Sequence, residues 1–419
     1  MALTRLPMIR WAMMIGALFA TCLALGAPAH AENGRLLIVG GNLSLDNEAI
    51  YRALIDNRLA DAPSIAIIAA ATSTPASHAA TFAGELMFYG VEPDNITIVH
   101  LALVDDPDTP NVDESDWASN ADNAEEIAKI ENAGAIWFTG GDPLRLNEVL
   151  VRARGADSPM LAAIRARLSA GAIVGGTSAG AAAMSSPMIV RGDAFGALFS
   201  PVSDTLTEDR EPLTLMTGLR LLSPFIADQH FAQRGRLGGL ARAIMEQPQA
   251  ARIGIGIDED TALLVNLADN SATVIGRNTV TLLDGRRAMQ AQEDGSEQLN
   301  GLLLSRLHDG DSLNLSTLAV AADPEREAAG DRQTVYGGLW PSVELLRPLE
   351  GERRSMNVTE QRSGGTARFE AILAEGKRSA RFTFRAGGNT RYWRGPSDEG
   401  WNGTLTGVRL SITNGIPAR

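Results

Sequence analysis

The residue whose sequence motif most clearly indicates a chemical function is Ser178, which lies in the G-x-S-x-G motif of residues 176–180. Apolar and small residues precede the motif, and an alanine-rich run follows it, so the segment predicts a strand, a tight turn and a helix. A serine at such a turn is typical of a nucleophile elbow, in which flanking glycines permit a strained backbone and the helix N-terminus offers N–H groups to an oxyanion. A glycine-rich turn that merely closes a βα unit is the alternative interpretation.

A base for this serine is available at His230, in the segment Asp228-Gln229-His230-Phe231. Histidine is the usual partner of a serine nucleophile because its neutral imidazole can accept the hydroxyl proton. A structural role for this histidine is the alternative. Arg234 follows shortly after and makes the segment basic.

Three adjacent acids, Asp258, Glu259 and Asp260, precede an apolar run. Acids in this position are commonly surface residues, but one of them could orient the imidazole of the base. We therefore expect one acid to contact His230 and the other two to behave as surface charges.

A second glycine-rich turn lies at Thr139-Gly140-Gly141-Asp142, directly before Pro143. Its exposed amides could complete an oxyanion hole. The same residues also fit an N-capped helix with proline at its first position.

Elements that could position these residues alternate along the first three quarters of the chain. Continuous apolar runs predict strands, and periodic segments between them predict helices, which indicates an α/β fold with a mostly parallel, doubly wound sheet. In such sheets, sites gather beyond the carboxyl ends of the strands. The predicted strands are residues 36–41, 64–71, 96–101, 135–141 and 172–176, and the predicted helices are residues 47–59, 81–89, 123–132 and 160–169.

The pattern changes after about residue 318. Alternating segments at residues 367–373, 380–386 and 408–413 predict strands, with Glu375-Gly376 as a hairpin turn. We expect a catalytic domain at residues 32–318 and a small β-rich C-terminal extension at residues 319–419. Trp340, Trp393 and Trp401 lie in the extension and could form a polymer-binding face, ordinary packing or a dimer contact.

Residues 1–31 have the pattern of a secretory signal peptide: two arginines, an apolar stretch and a small-residue cleavage site. The alternative, a membrane anchor, is disfavoured because the apolar stretch is short. We therefore expect export to the periplasm or the medium, with no membrane attachment after cleavage.

Charge and composition restrict the possible partners and cofactors. The formal net charge is −13, and it becomes −15 when the leader, with two arginines and no acid, is removed. An acidic protein is a poor partner for nucleic acid or an anionic membrane. Cleavage also removes the single cysteine, and four histidines without a metal-binding motif remain, so we expect no metal and no other cofactor.

Four motifs together carry a resemblance to a known family: FTGGD, GGTSAGA, DQHFAQRGR and GIGIDEDTA. In this order and spacing, over about residues 34–315, the chain resembles the cyanophycinase family of serine peptidases, which are related to aspartyl dipeptidases. The resemblance implies a catalytic triad, an oxyanion hole and a substrate pocket. The residues concerned are Ser178 as nucleophile, His230 as base and Glu259 as orienting acid; Gly141 and Ala179 at the oxyanion; and Asp142, Asp228, Gln229, Arg234 and Arg236 at the substrate.

The resemblance further implies a secreted exopeptidase that hydrolyses β-aspartyl bonds of cyanophycin and releases β-Asp-Arg dipeptides. Two departures put the substrate in question. Pro143 stands where the family commonly has glutamine, and Gly239 stands where an arginine is usual. A peptidase for other aspartyl or isoaspartyl peptides is therefore one alternative, and a catalytically silent polymer-binding protein is another. A homodimer is possible in each case.

Overall fold

The computed structural model describes residues 33–206, 212–293, 295–328, 340–348, 354–363, 366–395 and 403–415, which group into one compact unit. The predicted signal peptide lies outside these residues. In the described part of the chain, no helix is both long enough and apolar enough to cross a membrane.

The elements of these residues are helices α1–α7 and strands β1–β22. The helices are α1 (Glu48–Asp56), α2 (Pro75–Phe88), α3 (Ala124–Glu131), α4 (Pro143–Leu150), α5 (Pro159–Ser169), α6 (Ala179–Ala183) and α7 (Leu237–Met245). The strands are β1 (Arg35–Val39), β2 (Ser64–Ile68), β3 (Ile96–Val99), β4 (Ala133–Phe138), β5 (Ile173–Thr177), β6 (Met188–Arg191), β7 (Thr214–Met216), β8 (Ile226–Gln229), β9 (Ile253–Ile257), β10 (Thr261–Asn266), β11 (Ser271–Gly276), β12 (Val280–Asp284), β13 (Met289–Glu293), β14 (Ser296–Leu307), β15 (Ser312–Asn314), β16 (Val320–Ala321), β17 (Glu327–Ala328), β18 (Ser355–Ser363), β19 (Thr366–Glu375), β20 (Arg378–Arg385), β21 (Arg391–Arg394) and β22 (Thr404–Asn414).

The first sheet contains all five strands predicted from the apolar runs. Its order is β16-β15-β11-β10-β1-β5-β4-β2-β3, in which β1, β5, β4, β2 and β3 run parallel. The strands β10, β11, β15 and β16 extend the sheet in antiparallel pairing. The sheet is therefore mixed: parallel where the sequence predicts parallel strands, and antiparallel beyond β1.

Both faces of the parallel strands are covered by helices. Along β1, Leu37 and Val39 pack with α1 and α2, whereas Leu36 and Ile38 pack on the other face with α4, α5 and α6. All four side chains are fully buried. Each such side chain contributes about 1.5–3 kcal/mol of transfer free energy on folding, so the sheet gives the strand ends a rigid support.

The second sheet includes most of the strands after residue 318. Its main path is β18-β19-β20-β22-β14-β12-β9-β8; β13 pairs with β14, and β21 pairs with β17 and β22. The predicted hairpin is present, with Glu375 opposite Arg378. Because β22 pairs with β14, the C-terminal strands continue the sheet that also contains β8 and β9.

The tryptophan face predicted for this region is only partly described. Trp393 is half-buried in β21, whereas Trp401 and the side chain of Trp340 lie outside the description. A polymer-binding role and a dimer contact for these tryptophans remain predictions, as does the domain boundary at residue 318.

Candidate active site

Ser178 occupies a sharp turn between β5 and α6. Its backbone has φ 53° and ψ −110°, and its N–H donates to the carbonyl of Val39 at 3.0 Å. The turn is tight, since a Cβ at Gly180 would lie 2.6 Å from the carbonyl oxygen of Phe138. A left-handed conformation at a non-glycine residue costs free energy and persists only where its surroundings hold it. The fold thus fixes the hydroxyl at the carboxyl edge of the first sheet.

His230 approaches Ser178 from the end of β8 in the second sheet. Its Nε2 lies 2.8 Å from the Ser178 Oγ, and its backbone N–H donates to the carbonyl of Gly40 at 2.7 Å. The side chain is largely buried, and this burial lowers the pKa of His230 below its usual value, while Glu259 acts in the opposite direction. A neutral imidazole that can accept the serine proton is therefore the favoured form.

Glu259 follows β9 and completes the chain of hydrogen bonds. Its Oε1 lies 2.7 Å from the His230 Nδ1, and its Oε2 accepts from the Asn42 Nδ2 at 3.1 Å. The backbone N–H of Glu259 donates to the Gln233 Oε1 at 3.0 Å. An Nδ1–H donated to the carboxylate leaves Nε2 as the acceptor that faces Ser178.

The expectation that Asp258 and Asp260 are surface charges is wrong. Asp258 is 2% exposed and accepts from the Thr279 hydroxyl at 2.5 Å and from the Ala232 N–H at 2.9 Å. Asp260 is 7% exposed and accepts from the Ser44 N–H at 3.0 Å. Both carboxylates are buried because they satisfy backbone and hydroxyl donors of the loops around the site. Of the three acids, Glu259 is the one that contacts His230.

The loop after β1 also contributes to the site, although the sequence analysis did not identify it. This loop contains Gly40, Gly41 and Asn42, and Asn42 holds the second oxygen of Glu259. Gly41 has φ 110°, and a Cβ at this position would lie 2.3 Å from the His230 Cε1. The available signal was a glycine pair directly after a strand, where backbone approaches a ligand or another side chain closely.

Gly41→Ala is therefore expected to displace the His230 ring and to strain the backbone. A displacement of about 1 Å at a catalytic group costs roughly 100-fold in rate, so kcat should fall by at least about that factor. Steady-state kinetics would measure the loss. Gly84→Ala is the matched control, because its added Cβ meets no atom within 4 Å. Unchanged kcat in Gly41→Ala would contradict the described placement of His230.

Two backbone amides lie in positions suited to an oxyanion hole. Among the described residues, the N–H groups of Gly141 and Ala179 have no hydrogen-bond acceptor. A Cβ at Gly140 would lie 3.4 Å from the Ser178 Cβ, so this turn lies against the serine. The alternative interpretation of the turn, an N-capped helix with proline at its first position, is confirmed, since the Asp142 carboxylate accepts from the Leu144 N–H at 3.0 Å and caps α4. The oxyanion hole stays a prediction.

Two cavities meet at Arg234. The first, here called the serine cavity, has a volume of about 690 Å³ and is lined by residues that include Ser178, His230, Glu259, Gly141, Asn42 and Glu85. The second, here called the arginine cavity, has a volume of about 620 Å³ and is lined by residues that include Asp142, Asp228, Arg191, Arg234, Arg236 and Gly239. Arg234 thus lines both cavities, and Ser178 lines only the serine cavity.

The structure brings four of the five predicted substrate residues to the arginine cavity. Gln229, the fifth, instead lies beside the serine, with its Oε1 3.5 Å from the Ser178 Oγ. Asp228 is buried and accepts from the Arg236 Nε at 2.7 Å, so its charge is paired and it fixes the guanidinium of Arg236. Pro143 is buried at the first turn of α4 and lines neither cavity.

Arg191, at the end of β6, is a second residue that sequence reasoning missed. It is exposed and lines the arginine cavity. Within the described residues, neither Arg191 nor Arg234 forms a side-chain hydrogen bond or an ion pair, whereas Arg236 does. An isolated arginine on a strand gives no sequence signal of this kind. Among the same residues, no cluster of three or more histidine, cysteine or acidic side chains could hold a metal ion.

A serine hydroxyl bonded to a histidine that is bonded in turn to a carboxylate is the arrangement of serine hydrolases. Comparison with known proteins shows which serine hydrolases this chain resembles. The model of peptidase family S51 matches residues 115–275. The cyanophycinase of Synechococcus elongatus is 37% identical over 208 residues, which are 48% of this chain and 59% of the relative. That of Geminocystis herdmanii is 37% identical over 195 residues, 45% of this chain and 65% of the relative.

Over the matched residues, the chain is similar to these cyanophycinases and to peptidase family S51. It spans 59% and 65% of the length of these two relatives. Among solved structures, the crystal structure of a peptidase from an acI-B1 Actinobacterium is 19% identical, covers 60% of this chain and 91% of that one, and has a TM-score of 0.40.

Proposed function

We propose that the protein is a secreted serine exopeptidase that degrades cyanophycin and releases β-Asp-Arg dipeptides. The observation that carries the proposal is the hydrogen-bonded chain Ser178–His230–Glu259 beside a cavity lined by three arginines. The family relatives named cyanophycinase support the substrate class. The signal-peptide pattern of residues 1–31 supports export to the periplasm or the medium.

In the proposed reaction, Ser178 lies at a nucleophile elbow and attacks an aspartyl amide carbonyl of the polymer. His230 takes the hydroxyl proton and then gives it to the leaving amine as the C–N bond breaks, which leaves an acyl-enzyme. Because the released dipeptide keeps its β-aspartyl link, the broken bond in this proposal is the amide that joins one dipeptide unit to the next, and not the β-aspartyl bond given in the initial expectation. Water activated by His230 then hydrolyses the ester and restores Ser178.

The amides of Gly141 and Ala179 stabilise the oxyanion, and a donor in such a position contributes roughly 3–4 kcal/mol to the transition state. Arg191 and Arg234, which have no partner of their own among the described residues, suit carboxylates of the substrate because a guanidinium offers a two-pronged donor. Arg236, held by Asp228, is oriented for the same purpose.

Incubation of the purified mature protein with insoluble cyanophycin, followed by mass analysis of the soluble fraction, tests the proposal. We expect β-Asp-Arg dipeptides as the main product. Release of free arginine would place the cleaved bond inside the dipeptide unit. No soluble product, together with turnover of short isoaspartyl peptides, would favour the alternative substrate.

That alternative, a peptidase for other aspartyl or isoaspartyl peptides, is favoured by Gly239 and Pro143. The absent arginine would have faced the arginine cavity, where a Cβ at Gly239 meets only ordinary contacts, the shortest being 3.5 Å to the Ala194 Cα. Gly239→Arg is therefore expected to lower the KM for cyanophycin by roughly tenfold, because an added charged hydrogen bond contributes about 1.5 kcal/mol or more.

Pro143→Gln restores the glutamine that is common at the other departing position. This variant is made alone and in combination with Gly239→Arg. Since Pro143 lines neither cavity, we expect most of any gain to come from position 239. Progress curves with soluble polymer would give each KM. If the restored double variant gains nothing, or if the unaltered protein already prefers short peptides, cyanophycin is not the natural substrate.

Arg191→Gln is expected to raise the KM about tenfold or more and to leave kcat within a few-fold, since it removes a binding charge remote from the bond that breaks. Arg287→Gln is the matched control, because Arg287 is exposed and lines neither cavity. Equal kinetics for the two variants would show that Arg191 does not bind substrate.

A further inference from the structure

Three arginines face one another across neighbouring strands of the second sheet. Arg368 on β19 is directly opposite Arg385 on β20, and Arg385 is directly opposite Arg409 on β22. Directly opposed residues project from the same face of a sheet, and neighbouring strands are about 4.8 Å apart. The three residues, here called the arginine row, therefore place three guanidinium groups side by side.

Among the described residues, the acids near the arginine row do not neutralise it. Glu370 forms ion pairs with both Arg368 and Arg381, so a single carboxylate serves two cations. Arg385 and Arg409 are exposed, and within the described residues neither forms an ion pair or a side-chain hydrogen bond. The side chains that the structure describes on this part of the face thus carry an excess of positive charge.

The residues on the next two strands, β14 and β12, do not offset the positive charge of the arginine row. Leu303 on β14 lies opposite Arg409, and Asp284 on β12 lies opposite Leu303. The Asp284 carboxylate accepts from the Arg286 guanidinium at 2.9 Å. The acid nearest in register is therefore one strand further on and is already paired.

Such a row is unfavourable for the fold alone. Like charges directly opposite each other on adjacent strands destabilise a sheet. The chain as a whole is acidic, with a formal net charge of −13, so a positive strip on this face differs in sign from the average surface. Exposed like charges that lie together although they destabilise the folded state indicate a binding surface.

We infer that the arginine row is a docking site for an anionic polymer that carries repeated carboxylates. A guanidinium pairs with a carboxylate through two parallel hydrogen bonds, and three of them in line can engage successive carboxylates of one extended chain. Weak individual contacts then add as a multivalent interaction. The inference does not depend on the chemistry at Ser178, since the row uses other residues on the second sheet.

The test measures binding of poly-aspartate to full-length mature protein that carries Ser178→Ala, so that no probe is hydrolysed. Arg385→Gln combined with Arg409→Gln removes the two unpaired members of the row. Arg154→Gln combined with Arg287→Gln is the matched control, because both arginines are exposed and the change in net charge is the same. Titration calorimetry at low ionic strength and at about 0.15 M salt gives Kd and its salt dependence.

We expect the row variant to lose at least about tenfold in affinity and the control to change less than about twofold. The melting temperature of the row variant should be unchanged or higher, since repulsion is removed, and this result excludes misfolding as the cause of the loss. Equal losses in both variants, no binding by the parent protein, or equal binding of poly-uridylate would each overturn the inference. The inference would also be overturned if sedimentation without polymer showed a dimer that depends on the arginine row, because a second copy of the chain would then occupy this surface.

Discussion

Replacing Ser178 by alanine is expected to leave a folded protein that has lost nearly all of its hydrolytic activity. In comparable triads the loss in kcat is about 10⁶-fold, and the residual rate comes from the oxyanion hole and binding. The substitution removes the Oγ that lies 2.8 Å from the His230 Nε2 and leaves the backbone turn in place. Rates of dipeptide release from cyanophycin would measure the effect.

Ser200→Ala is the matched control, since Ser200 lines neither cavity and its side chain has no hydrogen bond within the described residues. A fluorophosphonate probe gives a second readout that does not depend on the substrate. The unaltered protein should gain the mass of one adduct, located at Ser178 by peptide mapping, and Ser178→Ala should gain none. Substantial activity in Ser178→Ala would exclude a serine mechanism.

Glu259→Gln is expected to have the second largest effect. An amide at this position no longer enforces the imidazole tautomer in which Nε2 accepts the serine proton, and in a comparable triad this costs about 10⁴-fold in kcat. Asp258→Asn is the contrasting variant, because its carboxylate serves Thr279 and Ala232 rather than His230. It should lower the melting temperature and leave kcat within a few-fold.

The outcome that contradicts this assignment is near-normal activity in Glu259→Gln together with loss of activity in Asp258→Asn or Asp260→Asn. The triad would then survive with a different acid. Because Asp258 and Asp260 are buried, each of these variants needs a thermal melt beside its kinetics, so that loss of fold is not counted as loss of catalysis.

The pH profile of Glu259→Gln provides an independent check of the contact between His230 and Glu259. Protonated His230 cannot act as a base, so kcat/KM should rise with pH through the pKa of this group in the free enzyme. Burial lowers the pKa of His230 below 6.5, and the charge of Glu259 partly offsets this effect. Glu259→Gln removes the offset, so the acid limb of its profile should move to lower pH. A shift to higher pH would exclude the contact between His230 and Glu259.

The sequence predicted those parts of the site that depend on local pattern. Ser178 and Gly141 follow continuous apolar runs, and such runs identify buried parallel strands and therefore the edge at which their ends meet. Contacts between distant segments left no such pattern. The hydrogen bond from Asn42 to Glu259 joins residues 217 positions apart, and the burial of Asp258 depends on Thr279, which directly precedes β12.

The arrangement of the two sheets likewise depends on contacts between segments that are distant in sequence. The alternation at residues 408–413 predicted a strand but not its partners, since register depends on the face that becomes buried in the tertiary fold. The predicted β-rich extension therefore emerged as strands of a sheet shared with β8 and β9, and the antiparallel strands beyond β1 were not foreseen.

The position of β22 has a consequence for the order in which the parts of the site can be completed. Ser178 is supplied by the first sheet, whereas His230 and Glu259 follow strands of the second. That second sheet contains β22, which is synthesised well after Ser178, between β14 and β20. Until β22 (Thr404–Asn414) has been synthesised, one edge of β14 is unpaired. Strands that lie as far apart in sequence as β14 and β22 pair slowly. A nascent chain thus carries Ser178 well before the sheet that supports His230 and Glu259 is complete, so full assembly of this site has to wait for β22.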